Sequence, residues 1–192
     1  MSFLPSNYKV PTDSKYMKFQ AGENTFRVLS DAITGWEWWT TETIEGKEVR
    51  RPNRVMEESG IPVNEIDDEQ LPKHFWAFVV WNYADEKVQI LEITQKSIQM
   101  KIQAYSKSKG WGDPKKYDLV VTRTGEKLAT KYDLMAIPPE VLDKEIEKKY
   151  KETHINLPAL FTGDDPFKVN ETVDPDEVSE GIDKLKKATP GK

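Results

Sequence analysis

Cysteine is absent from this 192-residue chain, so disulfides are excluded and an intracellular setting is the expectation. Histidine occurs twice, as His74 and His154, too few ligands for a structural zinc site. Neither a metal nor a cofactor is therefore expected. No apolar run reaches the roughly 18 residues of a membrane-spanning helix, and the opening segment MSFLPSNYKVP lacks the apolar centre of a secretory signal. Motifs for nucleotide hydrolysis (GxxxxGK[ST]), dinucleotide binding (GxGxxG) and a serine nucleophile (GxSxG) are all missing. The nearest carboxylate pair for a nuclease, Asp118 and Asp133, reads as surface groups. No enzymatic activity is expected.

A uniform charge of one sign is also lacking. The net charge is −5, but it is unevenly spread. Residues 57–72 hold six acids and no base, and residues 140–192 are net −4. The remainder, 1–56 and 73–139, is net +5. A mildly basic core thus carries an acidic loop and an acidic C-terminal region, which permits a polyanionic ligand without specifying one.

What the chain has is aromatic rings on strands. His74–Ile93, HFWAFVVWNYADEKVQILEI, reads as two strands around a turn at Ala84–Lys87. Side chains alternate faces along a strand, so Phe75, Trp76, Phe78, Trp81 and Tyr83 place rings on both faces. One face can enter a core; flat rings on the other, with cations nearby, suit unpaired nucleobases. Upstream, Lys18–Ser30 and Gly35–Thr43 read as strands, the second with Trp36 and Trp38 on one face and Trp39 on the other. Gly46–Pro72 has three prolines, the basic cluster Arg50, Arg51, Arg54 and the acidic run, and it shows no period. It reads as a long functional or disordered loop on which three arginines could close over phosphates.

Thr94–Lys109 reads as a helix capped by Thr94, with Ile98, Ile102 and Tyr105 as its buried stripe. Trp111 follows in the turn GWGDP. Tyr117–Arg123 and Leu128–Ile137 read as a second hairpin. Glu140–Glu152 is a charged helix, 153–173 is irregular, and Asp174–Ala188 suits a last short helix. Strand, strand, long loop, hairpin, helix, hairpin is the connectivity of an OB-fold. The expectation is a mainly β protein with helices: a five-stranded Greek-key barrel with a helix between its third and fourth strands, plus an extra hairpin and a C-terminal helix. Its domain would span 16–138, between an arm at 1–15 and an acidic, partly mobile extension at 139–192.

Three segments, YMKFQAGENTFRVLSDAITGWEWW, FWAFVVWNYADEKVQILEITQKSI and WGDPKKYDLVVTRTGEKLATKYDL, resemble the single-stranded DNA-binding proteins of tailed bacteriophages, in order and with similar spacing over about residues 8–138. The resemblance implies an OB-fold that coats and protects unpaired DNA during phage replication, recombination or repair in the host cytoplasm, without catalysis. It also implies an acidic C-terminal part that contacts phage or host replication proteins. This chain departs from that pattern: its last residues, KKATPGK, are basic, and the nearest acidic–aromatic segment, Gly163–Phe167, is internal.

The expected DNA-binding residues are Trp36, Trp38, Trp39, Trp76, Trp81, Tyr83 and Trp111 for stacking, and Arg50, Arg51, Arg54, Lys115, Arg123 and Lys131 for phosphates. A barrel interior takes one alternating set of side chains, and Val79, Val80, Val88, Ile90, Leu91, Leu119 and Val121 compete for it, leaving rings in surplus. Weak homo-oligomerisation or cooperative assembly on DNA is a further expectation. Two rival readings remain: a carbohydrate-binding module, whose binding would ignore salt, and a phage assembly or protein-interaction module, whose rings would form an interface.

Overall fold

In the computed structural model, which describes residues 14–62, 66 and 71–168, eight strands and three α-helices follow one another. They are β1 (Tyr16–Met17), β2 (Gly22–Val28), β3 (Ile33–Ile44), β4 (Lys47–Val55), β5 (Lys73–Asn82), β6 (Lys87–Ile93), α1 (Lys96–Lys107), β7 (Asp118–Thr124), β8 (Lys131–Ala136), α2 (Lys144–Glu152) and α3 (Ala159–Thr162). The chain is mainly β, with a mixed eight-stranded sheet in the order β1-β6-β5-β2-β7-β8, and with β3 pairing both β4 and β5. It divides into two compact units. One holds the described residues up to Asp31 together with Phe78–Glu147; the other holds Ala32–Ala77 and the described residues from Lys148 onward.

In the first unit β2 is central. It runs antiparallel to the end of β5 (Phe26↔Asn82, Val28↔Val80) and to β7 (Gly22↔Arg123 through Arg27↔Asp118). Both of its faces are buried at its end, Phe26, Arg27 and Val28 alike, as is Leu29 just beyond it. Arg27 is 2% exposed because Asp118 stands opposite it and pairs with its Nε, while its Nη1 donates to the Glu140 carbonyl at 3.1 Å. A buried cation is tolerable only with such partners. Asp118, read from the sequence as a surface group, is half-buried and committed to this ion pair.

Helix α1 buries Ile98 and Ile102 and half-buries Tyr105, as its period requires. Its N-cap is Gln95, not Thr94, and no side chain caps it; the Gln99 side chain instead donates to the Ile93 carbonyl at 2.9 Å. The polar Asn82 and Gln89 are buried because each satisfies the other, Asn82 Nδ2 donating to Gln89 Oε1 at 2.8 Å.

The second unit is built on the β3–β4 hairpin. Its two-residue turn, Glu45–Gly46, has positive φ at both positions (51° and 78°), as a turn matched to strand twist demands. Residues 47–55 of the expected loop are therefore strand, and a 3₁₀ turn follows at Glu58–Gly60. The physical reason is local. Among the described strands β4 pairs with β3 alone, so Pro52, which has no N–H to give, costs no second ladder. The first residues of β3 also pair with β5 (Ile33↔Ala77 through Glu37↔Lys73). The turn of helix α3 interrupts the segment expected to be irregular, and Phe161 brings its ring to 5.9 Å from that of Phe75. Gly35 allows this: a Cβ there would lie 2.4 Å from the Val55 carbonyl oxygen and 2.8 Å from the Phe161 ring. Helix α2 begins at Lys144, four residues later than Glu140. The expected helix at 174–188 and nearly all of the expected arm lie outside the described residues.

Candidate nucleic-acid interface

Register fixes which side chains of the hairpin share a face, because directly paired residues point the same way. Glu37, Trp39 and Thr41 of β3 stand opposite Arg54, Pro52 and Arg50 of β4. Trp36, Trp38 and Thr40 stand opposite Val55, Asn53 and Arg51. The β5 pairing adds Phe75 to the first face and His74 and Trp76 to the second. The three arginines are not on a loop. They are held in strand register, two on one face and one on the other.

The first face joins an indole to cations. The Arg50 guanidinium carbon lies 5.4 Å from the centre of the Trp39 ring, and Trp39 is 38% exposed. Arg54 sits deeper. Its guanidinium lies 5.6 Å over the Phe75 ring and 3.5 Å from the Glu37 carboxylate, with both members of the pair 9% exposed at the side chain. Gly35, on the strand between Arg54 and Phe75, offers no side chain to separate them. Arg50 is thus the outward cation of this face and Arg54 the anchored one.

The second face carries more rings. Trp36 and Trp76 are half-buried, Trp38 is 7% exposed, and Trp36 meets His74 edge-on at 5.4 Å. Arg51 is exposed and pairs loosely with Glu42 at 3.7 Å, while the Asn53 amide donates to the Thr40 hydroxyl at 2.8 Å. His74, which in the sequence entered only in excluding a zinc site, is a ring neighbour of Trp36. Its place opposite that residue is a matter of register, which composition does not reveal.

The other expected residues belong to the first unit, and most serve it. Trp81 is 5% exposed. Tyr83 places its hydroxyl 3.1 and 3.2 Å from the two Asp118 oxygens. Burial, then the adjacent Asp118 charge, pushes its pKa up to about 12. Trp111 is half-buried, wedged edge-on at 5.4 Å from each of Tyr105 and Tyr117. Burial, then Asp113, likewise raises Tyr117 to about 12. Lys115 bonds to Asp31 at 2.6 Å, and Arg123 donates to the Phe19 carbonyl at 2.9 Å. Lys131 is exposed at the start of β8.

Among the described residues no three His, Asp or Glu side chains are grouped to hold a metal ion, and no helix is long and apolar enough to cross a membrane. No protein-family model, curated protein or solved structure matches the chain.

Proposed function

We propose that this chain is a sequence-nonspecific single-stranded DNA-binding protein of the tailed-phage type, coating and protecting unpaired DNA during replication, recombination and repair without catalysis. One observation carries the reading: strand pairing in the β3–β4 hairpin sets exposed Trp39 beside Arg50 on one face. An indole that stacks on any base and a guanidinium that meets the phosphate next to it are the two elements sequence-tolerant binding needs. Across the hairpin, Trp36, Trp76 and Arg51 supply a second set.

The strand pairings support an OB-fold as the frame. Strand β2 pairs with both β5 and β7, β6 lies next to β5, and α1 connects β6 to β7. These pairings match those that an OB barrel's first strand makes with its second and fourth, with the β3–β4 hairpin inserted in sequence between the first and second of those strands.

The test is titration of the full chain with oligo-dT of about 20 nucleotides, longer than one OB-fold covers. Tryptophan emission should quench, and affinity should fall linearly with the logarithm of salt concentration, as counterion release demands. An unquenched signal with no complex at low salt overturns the proposal. Salt-insensitive binding to polysaccharide would favour the carbohydrate reading. Self-association without affinity for oligo-dT would favour the assembly reading.

A further inference from the structure

We propose that the first unit carries its own contact for single-stranded DNA: a hollow at the end of α1, where one base seats against Trp111 and the flanking phosphates meet Lys107 and Lys109. The inference rests on the single-stranded DNA reading but not on the hairpin that carries it.

The hollow measures about 360 Å³ and is lined by Lys101, Ala104, Tyr105, Ser108, Trp111 and Leu134. That lies within the size range of small-ligand sites. Two of its walls are aromatic. Trp111 is held in place: its ring makes T-shaped contacts with Tyr105 and Tyr117, centres 5.4 Å apart in each case, and Tyr105 and Tyr117 themselves lie 6.4 Å apart. The turn behind the ring is fixed as well. Gly112 N–H donates to the Ser108 carbonyl at 2.9 Å, and the Tyr117 hydroxyl donates to the Gly112 carbonyl at 3.2 Å. A half-exposed indole on a braced turn loses little freedom when a base stacks on it.

The surrounding charge is one-sided. Residues 96–116 hold six lysines and a single acid, Asp113, in a chain whose net charge is −5. Lys101, at the rim, is already paired with Asp133 and Lys115 with Asp31. Lys107 and Lys109 are exposed and make no ion pair among the described residues. The helix dipole accounts for a cation in the last turn, as Lys107 is. It does not account for Lys109, past the helix end, or for the placing of both lysines next in sequence to Ser108, which lines the aromatic hollow. A flat ring, a sequence-tolerant stacking surface and two uncommitted cations together fit a nucleotide of single-stranded DNA.

The experiment is amide and indole NMR of the full chain, with the Trp111 indole N–H assigned through Trp111→Phe and that of Trp39 through Trp39→Phe. Oligo-dT of about six nucleotides, within the span one OB-fold covers, is the probe. The Trp111 indole signal should shift on titration, and should still shift in Trp39→Ala/Arg50→Ala. Lys107→Glu/Lys109→Glu, whose fold the same spectrum verifies, should weaken that shift about tenfold and lower the salt slope by about 1.4, at about 0.7 per phosphate for a single strand. A Trp111 signal that stays still while Trp39 moves overturns this proposal and leaves the hairpin reading standing. If both stay still, both readings fail. If Trp111 ignores oligo-dT but responds to a synthetic peptide of residues 169–183, with six acids and no base, the hollow belongs to an acidic peptide and the DNA assignment is overturned.

Discussion

Arg50 rests its guanidinium 5.4 Å from the centre of the Trp39 ring, and the two side chains share one face of the β3–β4 hairpin without being directly paired; Trp39 stands opposite Pro52, and Arg50 opposite Thr41. The contact is diagonal across the ladder, within reach of long side chains. It presents one face of the indole to a cation and keeps an always-charged group at the edge of a stacking surface.

Trp39→Ala should cost single-stranded DNA binding about 1–3 kcal/mol, the usual worth of one stacked base. Trp39 is 38% exposed, so part of its ring is covered and folding stability should also fall, by about 1–2 kcal/mol, with the fold retained. Arg50→Lys separates the two roles of the guanidinium: charge is kept, so the salt slope should hold while affinity falls. Arg50→Ala should lower both. Anisotropy titrations with oligo-dT at several salt concentrations decide this. A Trp39→Ala protein that binds as tightly as the parent would remove the hairpin from the site.

Arg54, by contrast, is a structural cation. Its side chain and that of Glu37 are each 9% exposed, 3.5 Å apart. Glu37→Ala strands a buried charge and should destabilise the fold by about 3–5 kcal/mol, whereas replacing both partners by apolar residues (Glu37→Leu/Arg54→Met) should recover most of that loss. Urea denaturation of the two single variants and the double variant provides the cycle. A double-variant loss equal to the sum of the two single losses would show that the charges do not depend on one another.

Gly35→Ala should be among the most damaging single-methyl additions in the chain. The new carbon would sit 2.4 Å from the Val55 carbonyl oxygen, 2.8 Å from the Phe161 ring and 3.1 Å from the Phe75 ring. Backbone cannot yield cheaply on one side, nor packed rings on the other. A loss of about 1–3 kcal/mol follows from overpacking, read by thermal melting. A wild-type melting temperature would mean that β3 and β4 part more easily than their packing indicates.

Alkaline pH should weaken the fold through Tyr83 and Tyr117, both raised from 10.0 to about 12. The unfolded chain releases these protons near pH 10, whereas the folded chain holds them to about 12. Their contribution is therefore complete below pH 10 and is lost as pH rises from about 10 to 12. Tyr83→Phe should flatten the fall of melting temperature across that window. It should also cost about 0.5–1.5 kcal/mol at neutral pH for the bond to Asp118. An unaltered pH profile in Tyr83→Phe would show that its proton is not held by the fold.

Much of the fold could be read from the sequence where a period was strong. The rings and valines of 74–83 marked β5, and the Ile98, Ile102, Tyr105 stripe marked α1, because burial on one side imposes alternation or a helical repeat. Strand β4 was hidden for the opposite reason. Lys47–Val55 includes three arginines, an asparagine and Pro52, a composition an edge strand tolerates and a period search rejects. Its turn, Glu45–Gly46, carries half of the usual Asn-Gly signal. Arg27 escaped notice as an interior cation because its partner Asp118 lies 91 residues away in sequence, and only strand pairing joins them. The site was legible in its residue types and opaque in its allocation. Neighbouring Trp38 and Trp39, on opposite faces of the hairpin, end at 7% and 38% exposure, an allocation that residue type does not reveal.

Beyond its Glu37↔Lys73 pair, β3 pairs among the described strands with β4 alone, so the far end of the hairpin depends on one ladder between residues whose side chains are mostly exposed. A two-stranded ribbon of this kind is marginally stable by itself. Its tip should exchange amide hydrogens early, long before Phe75 or Val80 do. A strand of bases laid along it would make up for that weakness, stiffening the ribbon as it binds. On the proposed reading the ribbon would flex to suit whatever order of bases arrives, and some binding strength would be spent on arresting that motion.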